Sequence, residues 1–218
     1  MNDLGRPINT AIAFASTFEN ELITKCKKYL LDNYDSYYST MEPHITYAIV
    51  PLPEENLANA RHAIDEYLNQ IHTTLRFNLA GLSFSEKSNL FMIRVSGPEI
   101  MKLHTDLIEL MEPFRDGCIR QKDVERAEAG FFDEQEINYL KQYGYSRVLD
   151  NFKSHISIGS MERNLSEQEN VQQELEEILA PVLETQLELD NILVNFHIDS
   201  IEQHRMQTIW ETSHKIQP

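Results

Sequence analysis

Apolar residues recur along the chain at two periods, and the alternation between them sets out the elements. Asn9 to Ala15 is a short apolar stretch suited to a strand, and Ser16-Thr-Phe-Glu19 after it has capping-box spacing. Phe18, Leu22, Cys26, Tyr29 and Leu30 then follow at helical intervals. A polar, tyrosine-rich loop from Asp32 to Met41 leads to the β-branched run His44-Ile-Thr-Tyr-Ala-Ile-Val50, stopped on both sides by Pro43 and Pro51. Pro53-Glu-Glu opens a helix with Leu57, Arg61, Ile64, Leu68, Ile71 and Leu75 spaced by threes and fours. Strands over Arg76 to Leu82 and Leu90 to Val95 are joined by a polar turn, Ser85 to Ser88. Pro98 then starts a helix carrying Ile100, Leu103, Leu107, Leu110 and Met111.

Residues 113–136 mix charges without a period and read as a surface insertion or lid. A helix is expected over Asp133 to Gln142, and a second β-type run at His155-Ile-Ser-Ile158. Ser166-Glu-Gln-Glu169 repeats the capping-box spacing before a helical stripe of Val171, Leu175, Ile178, Leu179 and Val182. Leu187 to Asp199 alternates as one strand should, and a last strand covers Thr208 to Thr212. In each half a strand bearing His-Ile-Thr or His-Ile-Ser precedes an acidic cap and an amphipathic helix. Helices among many strands, some joined by short turns, predict an α+β fold. The echo predicts that residues 1–218 form one domain of two pseudo-symmetric lobes.

The 218 residues, 41% hydrophobic and 25% charged, suffice for a substantial core. No apolar run approaches the roughly 18 residues of a membrane span. Met1 to Arg6 has no basic segment followed by an apolar stretch, so no secretory signal is expected. Cys26 and Cys118 lie far apart without zinc-type spacing and read as reduced thiols of a cytoplasmic protein. Net charge changes the picture more. At −16, with nine acids and one base in residues 161–190, the chain is unsuited to tracking an extended polyanion. A nucleic-acid ligand should be small or engaged locally, as an RNA end would be.

The chemistry sits in two short motifs, His44-Ile45-Thr46 and His155-Ile156-Ser157, 111 residues apart. On a strand, residues two apart share a face, so each motif sets an imidazole beside a hydroxyl with the isoleucine turned away. Opening a cyclic phosphodiester needs a base to activate water and an acid for the leaving oxygen, and histidine suits both near neutral pH. Hydroxyl donors at the non-bridging oxygens would steady the developing charge. The arrangement calls for no metal and no cofactor.

The paired motifs resemble those of the 2H phosphoesterase superfamily, the fold of bacterial RNA 2′,5′-ligase-like proteins and cyclic nucleotide phosphodiesterases. The resemblance runs from about Asn9 to Ile216. A narrower one rests on Tyr143-Gly-Tyr145-Ser-Arg-Val-Leu-Asp-Asn-Phe152-Lys-Ser-His155-Ile-Ser157. This stretch is similar to phosphoesterases found near bacterial phosphonate-utilisation genes, which carry an aromatic-Gly-Tyr-Pro element and then Phe-Arg-Phe before the second motif. Ser146 here replaces the proline, and Lys153-Ser154 replaces the Arg-Phe pair. The resemblance implies duplicated antiparallel sheets in two lobes, outer helices and a central groove. His44 and His155 would be the acid–base pair, with Thr46 and Ser157 on the phosphate.

Around that set, Tyr47, Tyr143 and Tyr145 are candidates to line the groove or stack on a base. Lys153, on the strand face of His155 if the strand starts that early, ranks above Arg147 as a source of positive charge. Phe152 reads as core. His104 reads as a satisfied, partly buried histidine, while His62, His72 and His197 read as surface residues. His204 and His214 are too scattered for a metal site. Arg115, Arg120, Lys122 and Arg126, offset by Asp116, Asp123 and Glu125, read as a solvated loop. The expected protein is a cytoplasmic monomer, independent of membranes, that hydrolyses a small cyclic phosphodiester such as a 2′,3′-cyclic nucleotide or an RNA-end cyclic phosphate. The rival readings are a cyclic sugar-phosphate phosphodiesterase and a non-catalytic module holding a phosphorylated ligand.

Overall fold

The computed structural model describes residues 4–34, 36–161, 165–200 and 205–216; His204 lies outside them. The first half runs β1 (Arg6–Ile8), β2 (Thr10–Thr17), α1 (Glu21–Tyr34), β3 (His44–Pro51), α2 (Leu57–Leu68), β4 (Leu75–Ser85) and β5 (Leu90–Ser96). The second runs α3 (Pro98–Arg115), β6 (Cys118–Arg120), α4 (Gln121–Glu128), α5 (Glu134–Tyr143), β7 (His155–Ser160), α6 (Gln168–Leu179), β8 (Gln186–Leu189), β9 (Asn191–Ser200) and β10 (Arg205–Lys215).

Two four-stranded antiparallel sheets carry the fold, in the orders β10-β9-β2-β3 and β7-β5-β4-β8. This is the expected α+β class with antiparallel sheets. Each motif strand is the edge of its own sheet, β3 in the first and β7 in the second. The two edges approach one another. Helix α3 spans the sheets, packing on β3 and on β4, while α1 packs on β7 and α6. The core is continuous between them, with the ring of Tyr47 from β3 6.1 Å from that of Phe77 from β4.

The local sequence signals have mixed outcomes. Asn20, rather than Ser16, caps α1, its Oδ1 accepting from the Leu22 and Ile23 amides at 3.1 and 3.0 Å. The reciprocal bonding of a capping box is met instead at Asp133 and Glu136, which open α5. Helix α6 starts at Gln168 without a side-chain cap. The helical stripe from Leu57 stops at Leu68, because Leu75 pairs with Leu189 and begins β4. The alternating run Leu187 to Asp199 is two strands: β8 pairs with β4, and β9 pairs with β2 and β10 in the other sheet.

Residues 113–136 are not a loose insertion. Cys118, Ile119 and Arg120 are buried, and β6 pairs in parallel with β1. Arg115 and Arg120, expected in solvent, are buried too. Arg115 donates to Glu112 and to the carbonyls of Cys118 and Gln142, all at 2.8–2.9 Å. Arg120 bonds Asp123 through Nε at 2.7 Å. Lys122 reaches Asp199 of β9 at 2.7 Å. These contacts draw the segment over the end of β9, so His197 is also buried rather than on the surface.

Candidate active site

β-Branched residues at Ile45 and Ile156 send one face of β3 and β7 into the core, both fully buried, and so turn the alternate residues outward. His44, Thr46, His155 and Ser157 are those alternate residues, each half-buried. The structure therefore brings the four motif side chains onto the exposed faces of two neighbouring edge strands.

The two imidazoles are anchored alike. His44 Nδ1 donates to the Glu42 carbonyl at 2.8 Å, and His155 Nδ1 donates to the Lys153 carbonyl at 2.8 Å. Each bond runs to the residue two positions earlier. Because a carbonyl only accepts, Nδ1 carries the proton and Nε2 is the nitrogen left for chemistry. Burial holds both histidines below the ordinary imidazole range, against the opposing pull of those carbonyls. Lys27 lowers His44 further, and Arg147 and His44 itself lower His155. The two histidines are thus close enough to sense one another's charge.

Two buried residues set the strands in place, and neither is visible from the motifs. His104 of α3 donates through Nδ1 to the Tyr47 carbonyl at 2.7 Å and accepts from the Leu149 amide at 3.0 Å. Its ring stacks on Phe152 with centroids 3.9 Å apart. The satisfied histidine expected from the sequence thereby ties β3 to the approach to β7, holding Leu149 at a left-handed φ of 51°. Lys27 of α1 lies under β7, where Nζ donates to the carbonyls of Ser157 at 2.7 Å and Ile158 at 3.3 Å. Burial brings that ammonium down to about 8. A lysine inside an apolar stripe, one residue after Cys26, was the one sequence signal that could have found it.

Beside His155, an apolar-floored cleft of about 470 Å³ is lined by residues of β4, β5, α3 and the approach to β7. Lys153 lies in its wall, although β7 starts only at His155 and alternation does not reach it, and so does Arg94, which sequence reasoning missed. Arg94 is the cross-strand partner of His155 on β5. Three of the expected groove residues are elsewhere. Tyr47 is fully buried on the core face, its hydroxyl donating to Ser16 at 2.7 Å, because an odd step from His44 points inward. Tyr143 packs against Tyr139, and Tyr145 lies under the Arg120 guanidinium, 4.7 Å away. Neither tyrosine is in the cleft wall.

A family model described as a protein of unknown function (DUF1045) matches residues 52–203. The chain belongs to the DUF1045 family. No curated protein matches it by sequence. Among solved structures, this DUF1045 chain is similar to TT0787 of Thermus thermophilus, at 12% identity and a TM-score of 0.52 over 93% of this chain and 97% of that one. It is likewise similar to Escherichia coli LigT complexed with 3′-AMP, at 9% identity and a TM-score of 0.50 over 97% and 100%. The DUF1045 chain has the 2H phosphoesterase fold. Among its described residues, no helix is long and apolar enough to cross a membrane.

Proposed function

We propose that this protein is a metal-independent phosphoesterase that hydrolyses a small cyclic phosphodiester by two-histidine acid–base catalysis. The observation that carries the reading is the matched anchoring of His44 and His155. Each holds its proton on Nδ1 and leaves Nε2 unprotonated, on a strand whose next outward residue carries a hydroxyl. One neutral histidine takes a proton from water as the water oxygen attacks phosphorus. The other, protonated, gives its proton to the ester oxygen as the phosphorus–oxygen bond breaks. Water is consumed and a phosphomonoester is left. Thr46 and Ser157 donate to the non-bridging oxygens, where charge builds. The LigT structure was obtained with 3′-AMP, the kind of monoester that opening a 2′,3′-cyclic phosphate yields.

A second reading, a cyclic sugar phosphate as substrate, draws support from one observation. Tyr47, Tyr143 and Tyr145, the residues expected to stack on a base, are engaged elsewhere. The test is hydrolysis of a panel of 2′,3′-cyclic nucleotides in EDTA, wild type beside His155→Ala. Turnover by the wild type that the variant loses is the expected result. Turnover equal in both would remove the histidine from the mechanism, and loss in EDTA alone would require a metal.

A further inference from the structure

In a chain of net charge −16, the surroundings of His155 are cationic. Arg94 and Lys153 stand in the wall of the adjoining cleft, and that wall contains no aspartate or glutamate. Arg147 adds its charge from the segment ahead of β7, acting on His155. Among the described residues, Arg94 and Lys153 make no ion pair, whereas Arg115, Arg120 and Lys122 are all matched by acids. Arg94 and Lys153 are both exposed to solvent, and positive charge left unmatched along a cleft, in a protein with acids to spare, marks a place for an anion.

The position of Arg94 says which anion. It sits on β5 between His155 on β7 and Gly81 on β4. Its Nη2 lies 3.7 Å from where a Cβ on Gly81 would be, so the guanidinium leans over β4, away from His155. Adjacent strands are about 4.8 Å apart, which puts that head roughly two strands from the histidine. A phosphoryl group held between His44 and His155 is out of its reach, but a second anionic group on the same molecule is not. Gly81 sits at the irregularity of β4 with φ +89°, a conformation in which a side chain would be strained, and a Cβ there would only touch the guanidinium. Helix α3 opens into the same cleft through Gly97, Ile100 and Met101, and Gly97 offers no side chain to cap it. Glu99, in its first turn, is not part of the cleft wall.

We propose that the cleft is a second anion site, and that the substrate is a cyclic phosphodiester carrying another phosphate or carboxylate, held by Arg94 and Lys153. The proposal rests on the phosphodiesterase reading for its substrate, though the site itself is tested by binding. Calorimetry would compare adenosine 2′,5′-bisphosphate with 2′-AMP on the wild type and on Arg94→Gln. A charge-assisted contact predicts tighter binding of the bisphosphate by about tenfold or more in the wild type, and collapse of that ratio toward one in the variant. Equal binding by the wild type, or a ratio that survives Arg94→Gln, would overturn it. In parallel, kcat/KM for a 2′,3′-cyclic nucleotide with and without a 5′-phosphate should show the same preference and the same loss. If the binding ratio behaves as expected but neither compound turns over, the catalytic reading fails and the anion site stands. A carboxylate-bearing analogue in the same titration separates phosphate from carboxylate as the natural group.

Discussion

His44 and His155 each lose basicity to burial, and each recovers part of it from one backbone carbonyl. The proposed catalysis needs one of them neutral and the other protonated. The singly protonated pair is most populated between the two pKa values, both below the ordinary value of about 6.5. A bell-shaped profile of kcat/KM with its maximum on the acid side of 6.5 is expected; a profile still rising at pH 8 would contradict these roles. Lys27 holds His44 down, so Lys27→Met should move the profile to higher pH. His44→Ala and His155→Ala should each cut turnover by about 10²–10⁴-fold while circular dichroism stays unchanged. Thr46→Ala and Ser157→Ala should cost less, about 10-fold to 10²-fold each. At this scale the sequence was readable where strand alternation decides orientation, since that rule alone turns the four motif residues away from the core; Lys153 lies ahead of β7 and outside its reach. The same alternation turned Tyr47 inward, and its candidacy for the groove had set that rule aside.

Among the elements, β7 is the one most tightly fitted. A Cβ on Gly159 would lie 2.3 Å from Ser39 Oγ, 2.6 Å from Leu30 Cδ1 and 2.7 Å from Ser36 Oγ. Those serines satisfy the outer edge of the strand, Ser36 accepting from the Ser160 amide and Ser39 donating to the Ile158 carbonyl. Gly159→Ala should therefore destabilise by about 1–3 kcal/mol, read as a lowered urea midpoint at constant m. His104→Ala removes one buried and one partly buried hydrogen bond and a stacked ring, and a loss of about 3 kcal/mol is expected by the same measurement. Strand and helix existence was legible because hydrophobic period is local. The break at Asp190 was not, because β8 and β9 keep one alternating pattern across it while their partners lie in different sheets. The burial of β6 and of Asp123 in α4 was hidden for a similar reason. It depends on Arg120, Asp123 and Asp199 meeting from segments distant in sequence, and a list of charges reads the same whether they meet or not.

For the molecule as a whole, four imidazoles share one direction. His44, His104, His155 and His197 are all lowered, chiefly by burial. Below about pH 6.5 the unfolded chain takes up protons that the folded chain refuses, so stability falls as pH falls. Most carboxylates stay ionised between pH 7.5 and 5.5, so the histidines dominate the change. The urea midpoint should be clearly lower at pH 5.5 than at 7.5; an unchanged midpoint would mean these side chains are hydrated and free to charge in the folded state. The net charge of −16 bears on substrate too. It repels polyanions in general, which leaves the cations beside His155 to select a small ligand at short range.

Both motif strands are edges, and they belong to different sheets. Among the described residues no ladder of backbone bonds joins the two strands; the gap between the histidines is set by the core packed beneath it, with His104 bridging at one level and Lys27 bracing β7 from α1. The proposed active site is in this sense a seam whose spacing is held by packing. A core substitution beneath it, distant from either motif, can therefore change the spacing of the two imidazoles while each sheet keeps its own hydrogen bonds.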